Sequence, residues 1–261
     1  MDLRSQRGTG AQDSPGAVAI QLTRTAFPDR PSYDTAVSRA ILERVARGEL
    51  PETFRLARPG AMVAFGRLDL ASPGYPDAAH AARAGGFEAV KRLAGGRAAV
   101  FHENTIAFAW AGREQDTWSG THDRFRNVAG IVERALQRLG VDARVGEVPR
   151  EYCPGDYSVN ARGQVKLAGI GQRLIKGAWH IGAVIVVSEG DRVRDILVPV
   201  YDALGLDWDP ATAGAVTDEI PGASWDDVAA ALAAELPAHE PAELDAATLA
   251  LAQRLEPEHL G

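Results

Sequence analysis

The stretch that most constrains this chain runs from Glu151 to Val187, EYCPGDYSVNARGQVKLAGIGQRLIKGAWHIGAVIVV. It carries the only cysteine of the protein, Cys153, and a lysine, Lys166, set in a glycine-rich segment. Cys-Pro-Gly-Asp is turn chemistry, because Pro154 fixes φ and Gly155 permits φ > 0. Tyr157-Ser158-Val159 alternates like a short strand, and Asn160 to Gln164 reads as a hairpin turn containing Gly. Val165 to Ile170 alternates again, and the strand pattern continues past Gly171 to Ile175. A glycine inside a strand marks close approach of a backbone or ligand. Lys176-Gly177 turns the chain into a buried-looking strand from Trp179 to Val187. A thiol and an amine close together are parts for acyl transfer. The thiolate is the nucleophile, and a neighbouring ammonium favours it and can meet a developing oxyanion. Singly, a lone Cys is often a small buried hydrophobe and a strand Lys an edge residue. The combination is what points to chemistry.

The rest of the chain supplies a frame for that stretch. At 261 residues and 46% hydrophobic, it has material for one large domain with a normal core. Residues 1–17 are polar and rich in Gly, Ser and Gln, which predicts a disordered arm; residues 18–261 then form a single domain. A strand is expected from Val18 to Thr23 and a helix from Asp34, with Val37, Ala40, Ile41 and Val45 on one face. Short strands follow at Phe54–Arg58 and Ala61–Phe65, and a short helix at Asp77–Ala84. A strand at Ile106–Trp110 precedes an amphipathic helix ending at Leu139-Gly140. Arg192–Tyr201 reads as helix or loop limited by Pro199. Ser224 opens a helix through Leu236, and a last helix spans about Ala242–Leu255.

Composition excludes several functions. A single cysteine rules out an internal disulfide and agrees with a reducing cytoplasm. The six histidines show no ligand-like spacing, so no metal is expected. No run is apolar and long enough to span a membrane. A formal charge of −7 argues against nucleic-acid affinity.

A second motif precedes the first: Lys91-Arg92-Leu93-Ala94-Gly95-Gly96-Arg97-Ala98-Ala99-Val100. Paired glycines let backbone N–H groups close on an anion or a thin acyl chain, and Arg92 and Arg97 can supply charge there. With this loop, the C-P-G-D-Y-S-V segment, Q-V-K-L-A-G-I-G-Q-R and G-A-W-H-I-G together resemble the biotin/lipoate–protein ligase catalytic-domain family. Cys153 stands where the thioester-forming octanoyl and lipoyl transferases of that family carry theirs. The resemblance implies an α+β domain, a mixed β-sheet flanked by helices, of the kind shared with class II aminoacyl-tRNA synthetases. It implies Cys153 and Lys166 as catalytic residues, Lys166 holding the acyl carbonyl. Arg92, Gly95, Gly96, Arg97, Gly169 and Gly182 are implied for acyl binding. The glycine-arginine pair Gly66-Arg67 resembles a family element beside the acyl pocket. One departure concerns histidine. Phe101 stands at the spacing where many members carry His, and His102 falls one residue later, on the opposite face of a strand.

The activity implied is transfer of an octanoyl or lipoyl group to the acceptor lysine of a lipoyl domain. Glycine-cleavage H protein and the E2 subunit of 2-oxo acid dehydrogenases are the implied partners, and the acyl donor is an acylated H protein or an acyl carrier protein. No cofactor is required for transfer. The alternatives are an ATP-dependent lipoate–protein ligase, in which ATP activates the free acid, and a non-catalytic acyl- or lipoyl-domain-binding protein. A basic rim of Arg162, Arg173 and Lys176 is expected to dock an acidic lipoyl domain.

Overall fold

The computed structural model of the protein describes residues 20–114, 116 and 118–261. The expected arm at 1–17 and the expected strand start at Val18 lie outside the described residues. An eight-stranded mixed sheet forms the frame. In chain order its strands are β1 (Ile20–Thr23), β2 (Thr53–Ala57), β6 (Thr105–Arg113), β7 (Ala143–Val145), β8 (Val159–Ala161), β9 (Val165–Ile175), β10 (Ala178–Val186) and β11 (His239–Pro241). Across the sheet they run β11-β1-β2-β6-β10-β9-β8-β7. Within this sheet, among the described residues, the β11–β1 and β1–β2 pairings are parallel and the others antiparallel. A second sheet of three strands sets β3 (Met62–Phe65) between β4 (Glu88–Lys91) and β5 (Ala99–Phe101).

Strand periodicity assigns the two faces of the large sheet. On β6, Ile106, Phe108 and Trp110 enter the main core, as do Trp179, Ile181, Ala183 and Ile185 of β10. They pack on helices α4 (Thr121–Arg138) and α7 (Trp225–Glu235), through Val128, Ile131, Val132 and Leu136 of the first and Val228 and Leu232 of the second. Most intervening residues of the same strands are small or polar, Val184 and Val186 excepted. Ala111 and Ala178 let α1 (Pro31–Arg47) sit down on this face, and α8 (Ala246–Leu255) packs against α1. Ala107, Ala109, His180 and Gly182 instead line a cavity. The small sheet has its own core with α3 (Tyr75–Ala84) and α5 (Gly190–Leu204), and the one-turn helices α2 (Arg67–Leu70) and α6 (Val216–Glu219) lie in connecting segments.

Most strand and helix expectations hold, with four differences. The last helix begins at Ala246 rather than about Ala242, and Asn160-Ala161 of the expected turn belong to β8, so the turn is Arg162–Gln164. Tyr157-Ser158 is not strand; the pairing strand β8 begins at Val159. Arg192–Tyr201 lies wholly inside α5, with Pro199 within the helix. Proline loses one helical hydrogen bond, but the stripe Val193, Ile196, Leu197, Val200, Tyr201 and Leu204 is buried against the small sheet and holds the helix through it.

Candidate active site

Cys153 is partly buried at a turn that its sequence does not favour. Its φ is +44°, and Arg150 nearby has φ +62°. Left-handed backbone at non-glycine residues costs of order 1–3 kcal/mol and persists only where surrounding contacts fix it. Here they fix both peptide groups. The Cys153 N–H donates to the Tyr201 hydroxyl at 2.9 Å, and the Cys153 carbonyl accepts from Lys166 Nζ at 2.8 Å. Asp209 N–H donates to the Arg150 carbonyl at 2.8 Å, and Tyr152 packs edge-on against Trp208.

The glycine loop meets the sulfur. The Arg97 N–H donates to Cys153 Sγ at 3.2 Å, and Arg92 Nη1 lies 3.8 Å from the same atom. Arg92 is held by donating to the Arg97 carbonyl at 2.7 Å. Gly96 has φ +111°, and a Cβ there would stand 2.9 Å from both Cys153 Sγ and Arg92 Nη1. The loop is seated on the sheet at Gly171, where a Cβ would come 2.9 Å from the Gly95 carbonyl oxygen. The Gly95 N–H in turn donates to the Gln172 carbonyl at 3.2 Å. Gly171 pairs with Gly182, which pairs with Ala109, so a row of small residues crosses β9, β10 and β6 beneath the loop.

Two cavities meet here. An open cleft of about 870 Å³ is lined by Cys153, Gly95, Gly96, Arg67, Arg173 and Trp118, among others. An inner cavity of about 90 Å³ is lined by Met62, Ala64, Phe101, Gly169, Gly182 and His180. The segment Arg92-Leu93-Ala94 lines both. His180 stays neutral, its pKa pushed down to about 4 chiefly by burial and then by Arg55 and Arg92. Arg55 and Asp34 form a buried ion pair at 2.5 Å on the wall of the inner cavity.

Lys166 is placed differently from the expectation. It is 1% exposed, and its ammonium donates to Glu151 Oε1 at 2.9 Å, the Tyr152 carbonyl at 3.0 Å and the Cys153 carbonyl at 2.8 Å. These three acceptors match its three N–H donors. Glu151 is also buried, and accepts from Ser158 Oγ at 2.5 Å and from Val148 N–H at 3.0 Å. Lys166 therefore supports the Cys153 backbone from below, while the cation beside the sulfur is Arg92.

Six of the eight expected site residues line the two cavities, and a seventh, Arg97, reaches the sulfur through its backbone. The Arg97 side chain turns away to Asp69 at 3.2 Å. Asp69 is buried and also accepts from Gly66 N–H at 2.9 Å, so the Gly66-Arg67 element braces the loop. His102 is fully buried, its Nδ1 accepting from Asn104 N–H, and lines neither cavity. The three residues of the expected basic rim do not gather in one place. Arg162 is paired with Glu219 at 2.7 Å, and Arg162 and Lys176 flank opposite ends of the 11-residue β9. Eleven extended residues span roughly 35 Å. Sequence reasoning missed Tyr201, Glu151, His180 and Asp69. Each lies on a buried face where its sequence neighbours are apolar or turn residues, so no spacing singled it out.

Residues 30–236 match the family described as lipoyl protein ligase A/B catalytic domain. The chain belongs to that family. It is thus an enzyme of the lipoate ligase and transferase family, of the acyl-transfer kind. No curated protein matches the chain. Among solved structures, lipoate-protein ligase A bound with ATP is 20% identical over 92% of this chain and 95% of its own, with a TM-score of 0.74. Protein Ta0514 of T. acidophilum with bound lipoic acid is 20% identical over 92% and 96%, with a TM-score of 0.73. LipL1 of P. falciparum in complex with lipoate is 11% identical over 91% and 72%, with a TM-score of 0.61. At such identities the likeness is one of fold, and it agrees with the α+β architecture expected. Among the described residues, no helix is long and apolar enough to cross a membrane.

Proposed function

We propose that this family member transfers an octanoyl or lipoyl group to the acceptor lysine of a lipoyl domain through a thioester on Cys153. The observation that carries this reading is the convergence on one sulfur of the Arg97 N–H and the Arg92 guanidinium, in a cleft that shares its Arg92-Leu93-Ala94 wall with an inner cavity. Cys153 as thiolate attacks the carbonyl of the acyl donor. The C–S bond to Cys153 forms, and the bond to the donor breaks. A carrier thioester leaves as its thiol. An acylated H protein leaves as its lysine amine, which takes up a proton. The acceptor lysine, as free amine, then attacks the Cys153 thioester, forms the amide, gives up a proton and returns the thiolate. In both steps the Arg97 N–H and Arg92 face the carbonyl oxygen as it gains charge. Lys166 and Tyr201 fix the turn that aims the sulfur. The acyl chain runs past Arg92 into the cavity between Gly169 and Gly182.

Neither step consumes a cofactor. The acceptors proposed are glycine-cleavage H protein and E2 lipoyl domains. A related structure describes an archaeal lipoate protein ligase together with its E2 lipoyl domain, which supports a partner of that class. The thiol must be reduced to act, which suits the cytoplasm.

A second reading has one observation in its favour. The cleft is far larger than an acyl chain requires and is lined by Arg67, Arg92 and Arg173, as an ATP-using ligase would need to hold triphosphate. Acceptor modification with each feed separates the two. Transfer from octanoyl-carrier protein or octanoylated H protein without ATP supports the thioester route. Modification only from free lipoate with ATP, releasing pyrophosphate and persisting in Cys153→Ser, overturns it. Tight lipoyl-domain binding with no turnover from any feed overturns both.

A further inference from the structure

The hydroxyl of Tyr201 joins the two motifs of the site, and neither motif contains it. Tyr201 lies on the buried stripe of α5, beside Val200 and one turn before Leu204, and is 2% exposed. Packing alone would be met there by phenylalanine. The hydroxyl has two partners: it accepts the Cys153 N–H at 2.9 Å and donates to the Ala98 carbonyl at 3.0 Å. Ala98 directly follows Arg97, whose N–H donates to Cys153 Sγ. One oxygen therefore closes a circuit: Cys153 backbone, Tyr201, Ala98, Arg97, Cys153 sulfur. Burial raises the phenol pKa well above its ordinary value, so the proton that holds Ala98 stays in place.

The strain at Cys153 gives this circuit a purpose. A cysteine at φ +44° stays there only under restraint from both sides of its α-carbon. Lys166 restrains the carbonyl side and Tyr201 the N–H side. Without the hydroxyl the N–H side is released, the turn relaxes, and the sulfur moves relative to the Arg97 N–H and Arg92.

We propose that Tyr201 is a positioning residue: its hydroxyl fixes the Cys153 thiol against the N–H of the glycine loop, so that the nucleophile and the groups facing its oxyanion are set before substrate arrives. The acyl-transfer consequence rests on the thioester reading above; the placement of the thiol does not.

Tyr201→Phe is the test, with Leu204→Ala as control, since Leu204 is buried on the same helix face and its aliphatic side chain can make no hydrogen bond to either motif. Misplacing a reacting group by about 1 Å costs up to roughly 100-fold in rate. Tyr201→Phe is accordingly expected to load octanoyl from an acyl donor with kcat lowered about 10- to 100-fold and KM changed by less than about threefold. It is also expected to slow iodoacetamide alkylation of Cys153 at pH 7 by roughly tenfold, because the sulfur is no longer held against the Arg97 N–H and Arg92. Leu204→Ala is expected to melt at least as early as Tyr201→Phe while keeping wild-type loading and alkylation rates. Wild-type rates in Tyr201→Phe, or losses in Leu204→Ala that match its fall in Tm, overturn the proposal. If wild-type Cys153 takes no acyl group from any donor, the thioester reading fails and alkylation alone decides the role of Tyr201. Equal alkylation in all three proteins overturns it, and selective slowing in Tyr201→Phe sustains it.

Discussion

Replacing Lys166 by methionine separates its two conceivable roles, as a group that touches substrate and as a support for the turn. The ammonium is 1% exposed and bonded to three oxygens, and Glu151 beside it is 2% exposed. Methionine matches the length of the stem but leaves the carboxylate of Glu151 buried with only Ser158 Oγ and the Val148 N–H. Removing one partner of a buried ion pair costs about 3–5 kcal/mol, because the other charge stays desolvated. In a chain of this size each kcal/mol shifts Tm by roughly 2–4 °C, so the variant should melt about 6–20 °C below the wild type. Glu151→Gln added to Lys166→Met removes the orphaned charge. The double variant should recover part of the loss, with a coupling of about 0.5–3 kcal/mol between the two changes. The assay is thermal denaturation followed by circular dichroism, at one pH and salt concentration, for both single variants and the double. If Lys166→Met melts within about 2 °C of the wild type yet loses acyl loading, the lysine acts on substrate and the support role assigned to it is wrong.

Three further outcomes follow from the same geometry. Gly96→Ala places a Cβ 2.9 Å from Cys153 Sγ at φ +111°, and single-turnover loading should fall by about 100-fold; unchanged loading would mean that the loop and thiol are not held together. Gly182→Val fills the wall of the inner cavity, so octanoyl loading should fall while loading of acetyl from a short thioester persists; equal loss of both would place the chain elsewhere. The His180 pKa is lowered to about 4 in the fold, so between that value and the usual 6.5 the unfolded chain binds more protons. Stability from this group is complete above pH 6.5 and is lost as pH falls toward 4, by about 3 kcal/mol in all. Urea unfolding of His180→Gln should show a flatter decline across that window than the wild type, and parallel curves would refute the assignment.

Much of the fold was legible because its signals were local. The β9–β10 hairpin follows from alternation broken by Lys176-Gly177, and the β8–β9 turn from Arg162-Gly163, both at φ > 0. The cysteine, the glycine loop and the cavity glycines could be named from their motifs, but not how they meet. Alternation places Lys166 on a face of β9; it does not reveal that Glu151, in a turn fifteen positions earlier, lies beneath it. Tyr201 reads as one more apolar member of the α5 stripe, because its hydroxyl partners lie far away in sequence. The rim of Arg162, Arg173 and Lys176 failed for a related reason. Nearness in sequence along an extended strand is distance in space.

The most direct measurement of the central claim is intact mass of the purified protein after mixing, without ATP, with octanoyl-carrier protein and separately with octanoylated H protein. The thioester account predicts one added octanoyl group from at least one donor, removed by hydroxylamine and absent in Cys153→Ala. No adduct from either donor, with lipoyl-domain modification appearing only when ATP and free acid are supplied, would contradict it.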